Sequence, residues 1–206
     1  MKLIGITGGI GTGKSAVAGL LKARGWTVYA SDETAKQIMA SDPEVRSELT
    51  EAFGPDVLTE QGVNAPFLAS LVFGPTEEHH ARLARLNQIV HPRVLDAHME
   101  AIEREHAAGT SIVAIESALL YEVDLEEGFD WVIVVDAPHD VCVARVMERS
   151  KTTAAEVERR MAEQLAMEEK RGLADFVIEN GSTLADLERA TTMVATIIEV
   201  FPDPEH

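Results

Sequence analysis

The chain has 206 residues, 46% of them hydrophobic, a size that suits one α/β domain with room for a helical insertion. Its 35 acidic residues outnumber its 18 basic ones, and the resulting net charge of −17 argues against a nucleic-acid-binding role because phosphate backbones would be repelled. A single cysteine, no apolar run of membrane-spanning length and a strand from residue 2 that leaves no room for a signal peptide together predict a cytoplasmic protein.

A glycine-rich motif follows the first apolar run. Residues 8–15 match the pattern G-x-x-x-x-G-K-[ST] in full, in the order strand, glycine loop, helix. In such a loop, backbone N–H groups surround phosphate oxygens, the lysine reaches the β- and γ-phosphates and the serine hydroxyl binds Mg²⁺. A chance glycine-rich turn would not give the whole pattern in this context. We therefore predict a nucleoside triphosphate site with Mg²⁺, and the expected contacts are Gly9, Gly11, Thr12, Gly13, Lys14, Ser15 and Ala16.

Apolar runs alternate with helical patterns along the rest of the chain. Strands are predicted over residues 2–7, 27–31, 111–116, 131–136 and 176–179. Helices are predicted over residues 14–24, from residue 32, and over 77–106, 139–149, 153–169 and 184–200. This alternation predicts an α/β fold of the P-loop NTPase class, with three α/β/α layers around a five-stranded parallel sheet. Ligands of such folds bind beyond the carboxyl ends of the strands.

Two acids lie at predicted strand ends. Asp32 follows the second strand, where a carboxylate suits the activation of an acceptor hydroxyl, although the same residue is also a good helix N-cap. Glu116 ends the third strand, where P-loop proteins often place an acid that holds the hydration shell of Mg²⁺. The alternative is an acid at a strand end that only faces solvent.

The segment 43–106 carries no convincing strand and is predicted to be a mostly helical insertion beside the sheet. An insertion of this kind is a plausible platform for the acceptor substrate.

Seven of the 18 basic residues fall between positions 145 and 171. Arg145 and Arg149 are four residues apart on one helix and share a face, and Arg160 follows on the next helical segment. Arginines on a helical hairpin above a phosphate loop form a lid that excludes water during transfer. The alternative is a surface hairpin whose arginines pair with nearby acids such as Glu148 and Glu156. Cys142, between two valines on the first of these helices, is expected to be buried packing.

The last predicted strand ends in Asn180-Gly181. In doubly wound nucleotide kinases such a turn lies against the nucleobase. A plain β–α turn is the alternative, since Asn-Gly is favourable turn chemistry in any protein.

With these segments in order, the chain resembles the dephospho-CoA kinases from end to end. The resemblance is carried by the phosphate loop, by Asp32 and by the pair His91-Pro92. It continues through Leu119-Leu120-Tyr121-Glu122, through Arg145 and Arg149, and through the later segments that contain Arg160, Gln164, Lys170 and Asn180-Gly181. The phosphate loop is shared by many families, whereas the later motifs in this order are much more specific.

The resemblance implies a Mg²⁺-dependent transfer of the γ-phosphate of ATP to the ribose 3′-hydroxyl of dephospho-CoA. It implies that Asp32 is the base, that Lys14, Arg145 and Arg149 stabilise charge, and that Asn180 and Gly181 join the ATP site. The implied acceptor contacts are Asp32, His91, Leu120, Glu122, Arg160 and Gln164. His91 has a second reading, in which His-Pro only shapes the helix backbone.

The resemblance also divides the single kinase domain. The nucleotide-binding core would comprise about residues 1–40, 107–140 and 172–206, the acceptor-side insertion about 41–106 and the lid about 141–171. A monomer is favoured, with no nucleic-acid or membrane partner. The sequence departs from the family pattern at Ala30, Lys36, Asn64-Ala65, Glu116, Ala118 and Ser150. The departures at Asn64-Ala65 and Ala118 bear on acceptor contacts more than on catalysis. The rival hypotheses are a kinase of another small hydroxyl compound, of the nucleoside or shikimate type, and a nucleotide-dependent switch. A guanine-reading Asn-Lys-x-Asp, which would favour a switch, is absent from the sequence.

Overall fold

A parallel sheet organises the structure, a computed structural model that describes residues 1–60 and 62–202. In chain order the strands of the protein are β1 (Lys2–Gly8), β2 (Thr27–Ala30), β3 (Leu58–Thr59), β4 (Gly62–Val63), β5 (Ile112–Glu116), β6 (Trp131–Asp136) and β7 (Phe176–Glu179). Five of them form one sheet in the order β2-β5-β1-β6-β7, with every neighbouring pair parallel. The predicted five-stranded parallel sheet is thereby confirmed.

Helices form most of the remaining described chain. They are α1 (Lys14–Ala23), α2 (Ser31–Ser41), α3 (Pro43–Phe53), α4 (Ala65–Val72), α5 (Glu77–Ala107), α6 (His139–Ser150), α7 (Ala154–Ala162), α8 (Met167–Leu173) and α9 (Leu184–Val200). Short 3₁₀ turns lie at Pro55–Val57 and Glu126–Gly128. Among the described residues, no helix has both the length and the apolar character needed to cross a membrane.

Three sequence-based element predictions need correction. The segment 43–106, predicted to have no strand, contains the short antiparallel pair β3–β4. The sequence did not predict this pair because two-residue strands are too short to leave a periodic signal. The helix predicted over 153–169 is two helices, α7 and α8, separated by residues 163–166. Helix α2 begins at Ser31, so Asp32 lies inside its first turn rather than at the predicted N-cap position.

The chain divides into two compact units, each with an apolar core. The sheet unit comprises Met1–Ala30 and Arg104–His206, and the helical unit comprises Ser31–Glu103. In the sheet unit, one core joins β1 and β6 to α1 and α9, and a second packs Leu120, Val132 and Val134 on the other face. In the helical unit, side chains of α3, α4 and α5 form the core.

Local signals explain several helix ends. Thr183 and Asp186 form a capping box at the start of α9, and Asp42 caps α3 ahead of Pro43. Asn64 caps α4 by accepting from the Phe67 N–H, so this departure from the family pattern has a structural role here.

Candidate active site

The phosphate loop connects the central strand β1 to α1. Its lysine, Lys14, is 9% exposed and donates from Nζ to the carbonyl oxygen of Gly9 over 3.0 Å. The Thr12 hydroxyl donates to the same carbonyl over 2.9 Å. Helix α1 begins directly after the loop, with Ser15 and Ala16 exposed in its first turn. A positive helix end and an ammonium group therefore converge on the loop, which is the arrangement an anionic phosphate chain requires.

Asn180 fixes the far side of this loop. It is buried at the end of β7 and donates from Nδ2 to the Thr12 carbonyl oxygen over 2.8 Å. Gly13 has a φ of 95°, and a Cβ at this position would lie only 2.1 Å from the same Nδ2 atom. Glycine is therefore required at residue 13 both by backbone conformation and by the close approach of Asn180.

Sheet register places Glu116 on the same face as α1. Glu116 pairs in register with Ile6 of β1, and Ile6 belongs to the apolar core beneath α1. Ala114 of β5 also belongs to that core, and side chains two residues apart on a strand share a face, so Ala114 places Glu116 on the same side. The Glu116 side chain is 7% exposed, so the alternative of an acid facing solvent is wrong. The Glu116 side chain therefore lies on the face of the sheet that α1 covers. Ser15 lies at the amino end of that helix.

A cavity of about 580 Å³ lies against the outer side of the loop. The loop contributes Gly9, Ile10 and Thr12 to its wall. The remaining wall comes from the ends of β6 and β7, from α6 and from the α7–α8 region, and includes Asp136, Cys142, Met161, Gln164, Met167 and Gly181. Cys142 is 3% exposed and burial raises the pKa of its thiol, so the predicted packing role is confirmed.

The arginines of α6, α7 and α8 have different environments. Arg145 is half-buried, and its Nη1 atom is enclosed without a hydrogen-bond partner among residues 1–60 and 62–202. Arg149 is exposed near the end of α6. Arg160 donates to Glu156 over 3.2 Å, as the surface-hairpin alternative predicts for that residue. Arg159 also pairs with Glu156, and Arg171 pairs with Asp136 and Glu179. Much of the basic cluster is therefore neutralised by local acids, whereas Arg145 forms no ion pair with any described residue.

The helical unit carries the remaining sequence candidates. Asp32 is exposed in the first turn of α2. His91 lies within α5, which continues through Pro92, and burial lowers the pKa of its imidazole. A second histidine that the sequence analysis did not single out, His98, is 6% exposed and lies 3.0 Å from the Ser31 hydroxyl through Nε2. Burial lowers its pKa as well.

The segment after β5 is tied to α8 and to the linker that precedes it. Leu120 is fully buried in the second core of the sheet unit. The Glu122 carboxylate forms an ion pair with Lys170 at 2.7 Å and accepts the Leu165 N–H at 2.9 Å. Lys170 has no exposed surface and also donates to the Ala118 carbonyl oxygen. These contacts are structural, and the acceptor roles implied for Leu120 and Glu122 stay predictions.

Sequence reasoning missed the importance of Lys170 and Met167. The Sδ atom of Met167 lies 3.2 Å from the Gly9 amide nitrogen, on the phosphate loop itself. The only available signal for Lys170 was its place in the run of residues that carries the family resemblance. A charged residue in an apparently amphipathic helix gives no indication that it is buried.

A parallel sheet with a phosphate loop after its central strand, an acid at the end of the adjacent strand and arginines on the helices that follow defines a P-loop kinase. A family model described as "CoaE: Dephospho-CoA kinase" matches residues 2–186. The chain belongs to the dephospho-CoA kinase family, and the resemblance found in the sequence is confirmed.

Individual relatives agree with this assignment. The dephospho-CoA kinase of Salinibacter ruber is 41% identical over 190 residues, covering 92% of this chain and 94% of its own length. The dephospho-CoA kinase of Deinococcus radiodurans is 44% identical over 186 residues, covering 90% and 86%. The crystal structure of TT1252 from Thermus thermophilus matches with a TM-score of 0.77 and 35% identity over 98% of both chains.

Proposed function

We propose that this chain transfers the γ-phosphate of ATP to the ribose 3′-hydroxyl of dephospho-CoA, giving CoA and ADP. The observation that carries the proposal is the complete phosphate loop, with Lys14 closed over the Gly9 carbonyl, in a chain that matches the family over residues 2–186. An acceptor of the nucleoside or shikimate type is not favoured, because the curated relatives described above are dephospho-CoA kinases.

The donor site is proposed to use the phosphate loop and α6. Backbone N–H groups of the loop and the amino end of α1 would bind the phosphates, while Lys14 neutralises charge on the moving phosphoryl group. The enclosed Nη1 of Arg145 supports a role for this residue, because an unpaired guanidinium donor is costly unless a ligand oxygen accepts from it. Arg149 would act from the same helix, and Asn180 and Gly181 would border the nucleotide.

The residues present fit a bound Mg²⁺. Mg²⁺ takes oxygen ligands, keeps several waters and is usually held by few protein groups together with substrate phosphates. The Ser15 hydroxyl at the start of α1 and the Glu116 carboxylate on the α1 face supply such oxygens. When bound, the ion would neutralise charge on the β- and γ-phosphates.

The acceptor site is proposed to lie on the helical insertion, about residues 41–106, with the lid at about 141–171 and the nucleotide core in the rest of the chain. Asp32 would hold and deprotonate the 3′-hydroxyl. The acceptor oxygen then forms a bond to the γ-phosphorus, the bond from that phosphorus to the β,γ-bridging oxygen breaks, and ADP leaves. His91, Leu120, Glu122 and Arg160 are the remaining proposed acceptor contacts.

The direct test is an ADP-release assay with dephospho-CoA as the acceptor. Shikimate, adenosine and a reaction without acceptor serve as controls, and ³¹P NMR locates the transferred phosphate. We expect ADP release only with dephospho-CoA and a product phosphorylated at the 3′ position. Equal ADP release without an acceptor would instead identify a nucleotide hydrolase.

We also propose that the protein is a cytoplasmic monomer. Size-exclusion chromatography with light scattering tests its oligomeric state.

A further inference from the structure

The linker between α7 and α8, residues 163–166, contacts the phosphate loop through a side chain. The Oε1 atom of Gln164 accepts the backbone N–H of Ile10 over 2.9 Å. Immediately after the linker, the Sδ atom of Met167 lies 3.2 Å from the backbone nitrogen of Gly9. Two consecutive amides of the glycine loop are therefore held by side chains from the base of the lid.

The same linker is held from its other side. The Leu165 N–H donates to Glu122 over 2.9 Å, and Glu122 forms an ion pair with the fully buried Lys170 at 2.7 Å. Lys170 also donates to the Ala118 carbonyl oxygen over 3.1 Å. The chain that directly follows Gln164 is thus fixed to the segment after β5. This anchoring determines where the Gln164 amide meets the loop.

The residue types suit a site next to a polyphosphate. A glutamine oxygen accepts an N–H without adding a charge, whereas a glutamate at the same position would repel phosphates. Glycine leaves room for Met167 here, because a Cβ at Gly9 would lie only 3.1 Å from its sulfur. Both contacts therefore favour a fixed loop conformation without making the loop more negative.

We propose that Gln164 is a positioning residue for the nucleotide, which holds the phosphate loop through Ile10 in the conformation that binds triphosphate. This assignment differs from the acceptor contact that the family resemblance implies for Gln164. It rests on the nucleotide-binding part of the proposed function and not on the identity of the acceptor. Losing the tether makes the loop more mobile before binding, and that mobility must be removed again when ATP binds.

The test measures the binding of ATP, ADP and dephospho-CoA separately by calorimetry, each in the absence of the other substrate. Gln164→Met keeps the side-chain length and removes the acceptor oxygen. We expect Kd for ATP and ADP to rise about tenfold, the size of effect that one hydrogen bond can produce. Kd for dephospho-CoA should stay within about twofold of the wild-type value, because the tether does not act on the acceptor.

Two further variants sharpen the result. Gln164→Glu keeps an acceptor oxygen but adds a negative charge, so it should weaken the binding of ATP more than that of ADP. The difference between the two nucleotides should shrink as the salt concentration rises. The control is Glu168→Met, an exposed position in the first turn of α8, which should leave all three Kd values unchanged. Met167→Leu keeps the volume and removes the sulfur, and should weaken ATP about two- to threefold because thioether acceptors are weak.

Unchanged ATP binding by Gln164→Met, with or without weaker dephospho-CoA binding, would overturn the proposal. If Gln164→Met does not fold, as judged by thermal melting, Met167→Leu decides, and wild-type ATP binding by that variant overturns it. Failure of wild-type enzyme to phosphorylate dephospho-CoA would refute the proposed function but would leave these ATP and ADP comparisons valid.

Discussion

The Nδ2 atom of Asn180 lies 2.8 Å from the carbonyl oxygen of Thr12, and this hydrogen bond joins the end of β7 to the phosphate loop across 168 residues of chain. Asn180 is buried, so the Thr12 carbonyl has little access to water as an alternative partner. The contact places the Asn180-Gly181 turn beside the loop, as the nucleotide-site reading of this turn requires.

Asn180→Ala should therefore destabilise the protein and weaken ATP binding together. Leaving a buried carbonyl without its donor costs about 1–3 kcal/mol in the free energy of unfolding. Urea denaturation measures the stability, and calorimetry measures the affinity for ATP. Glu188→Ala, an exposed change on α9, is the control and should alter neither quantity. Wild-type stability in the Asn180 variant would mean that the hydrogen bond contributes nothing.

Asp32→Asn should lower dephospho-CoA phosphorylation by roughly 10²–10⁴-fold, the contribution of a general base, while ATP binding stays near the wild-type value. Because Asp32 lies in the first turn of α2, the variant also loses a favourable charge–dipole interaction of about 0.3–1 kcal/mol.

Glu33→Gln provides the matched control for Asp32, because Glu33 is the next residue, is exposed and occupies the same first turn. It should show a similar small change in stability and retain its activity. Turnover numbers and melting temperatures of both variants separate the two roles. If Asp32→Asn keeps more than half of the wild-type turnover, Asp32 is a helix-stabilising residue only.

Lys170→Met should lower the free energy of unfolding by about 3 kcal/mol, because it leaves the Glu122 carboxylate partly buried without its cation. The double variant Glu122→Gln with Lys170→Met removes both charges and should recover at least about 1 kcal/mol of that loss. Urea denaturation of the two single variants and the double variant completes the cycle. Strictly additive losses would show that the ion pair does not couple these residues.

Stability should fall as the pH is lowered from 7.5 to 5.5. Burial lowers the pKa of His98 below 6.5, so over this range the unfolded chain binds a proton more readily than the folded protein does. Protons therefore favour unfolding. The contribution of neutral His98 to the free energy of unfolding is fully present above pH 6.5 and is lost as the pH falls below it. His98→Gln keeps a polar partner for Ser31 and cannot titrate. Denaturation at several pH values should give a shallower slope for this variant, and an identical slope would contradict the assignment. His91, whose pKa burial also lowers, accounts for part of the remaining slope.

Elements with a strong local pattern could be predicted closely. The bounds of β6, β7 and α9 agree with the sequence-based ranges, because continuous Val/Ile runs and a capping box are signals contained in a few neighbouring residues. The β3–β4 hairpin was missed and α7 was joined to α8, since two-residue strands and a four-residue helix break leave little periodicity.

The sequence by itself determined the phosphate loop, the parallel sheet and the family, because each of these depends on residue types at short, fixed spacings. Tertiary structure alone decided which side chains meet. Gln164 contacts Ile10 across 154 residues, and Lys170 is buried against Glu122 although its sequence neighbours Glu168, Glu169 and Arg171 are all charged. Contacts of this kind arise from how helices pack on the sheet, and the free energy that fixes them comes from the whole core rather than from the residues in contact.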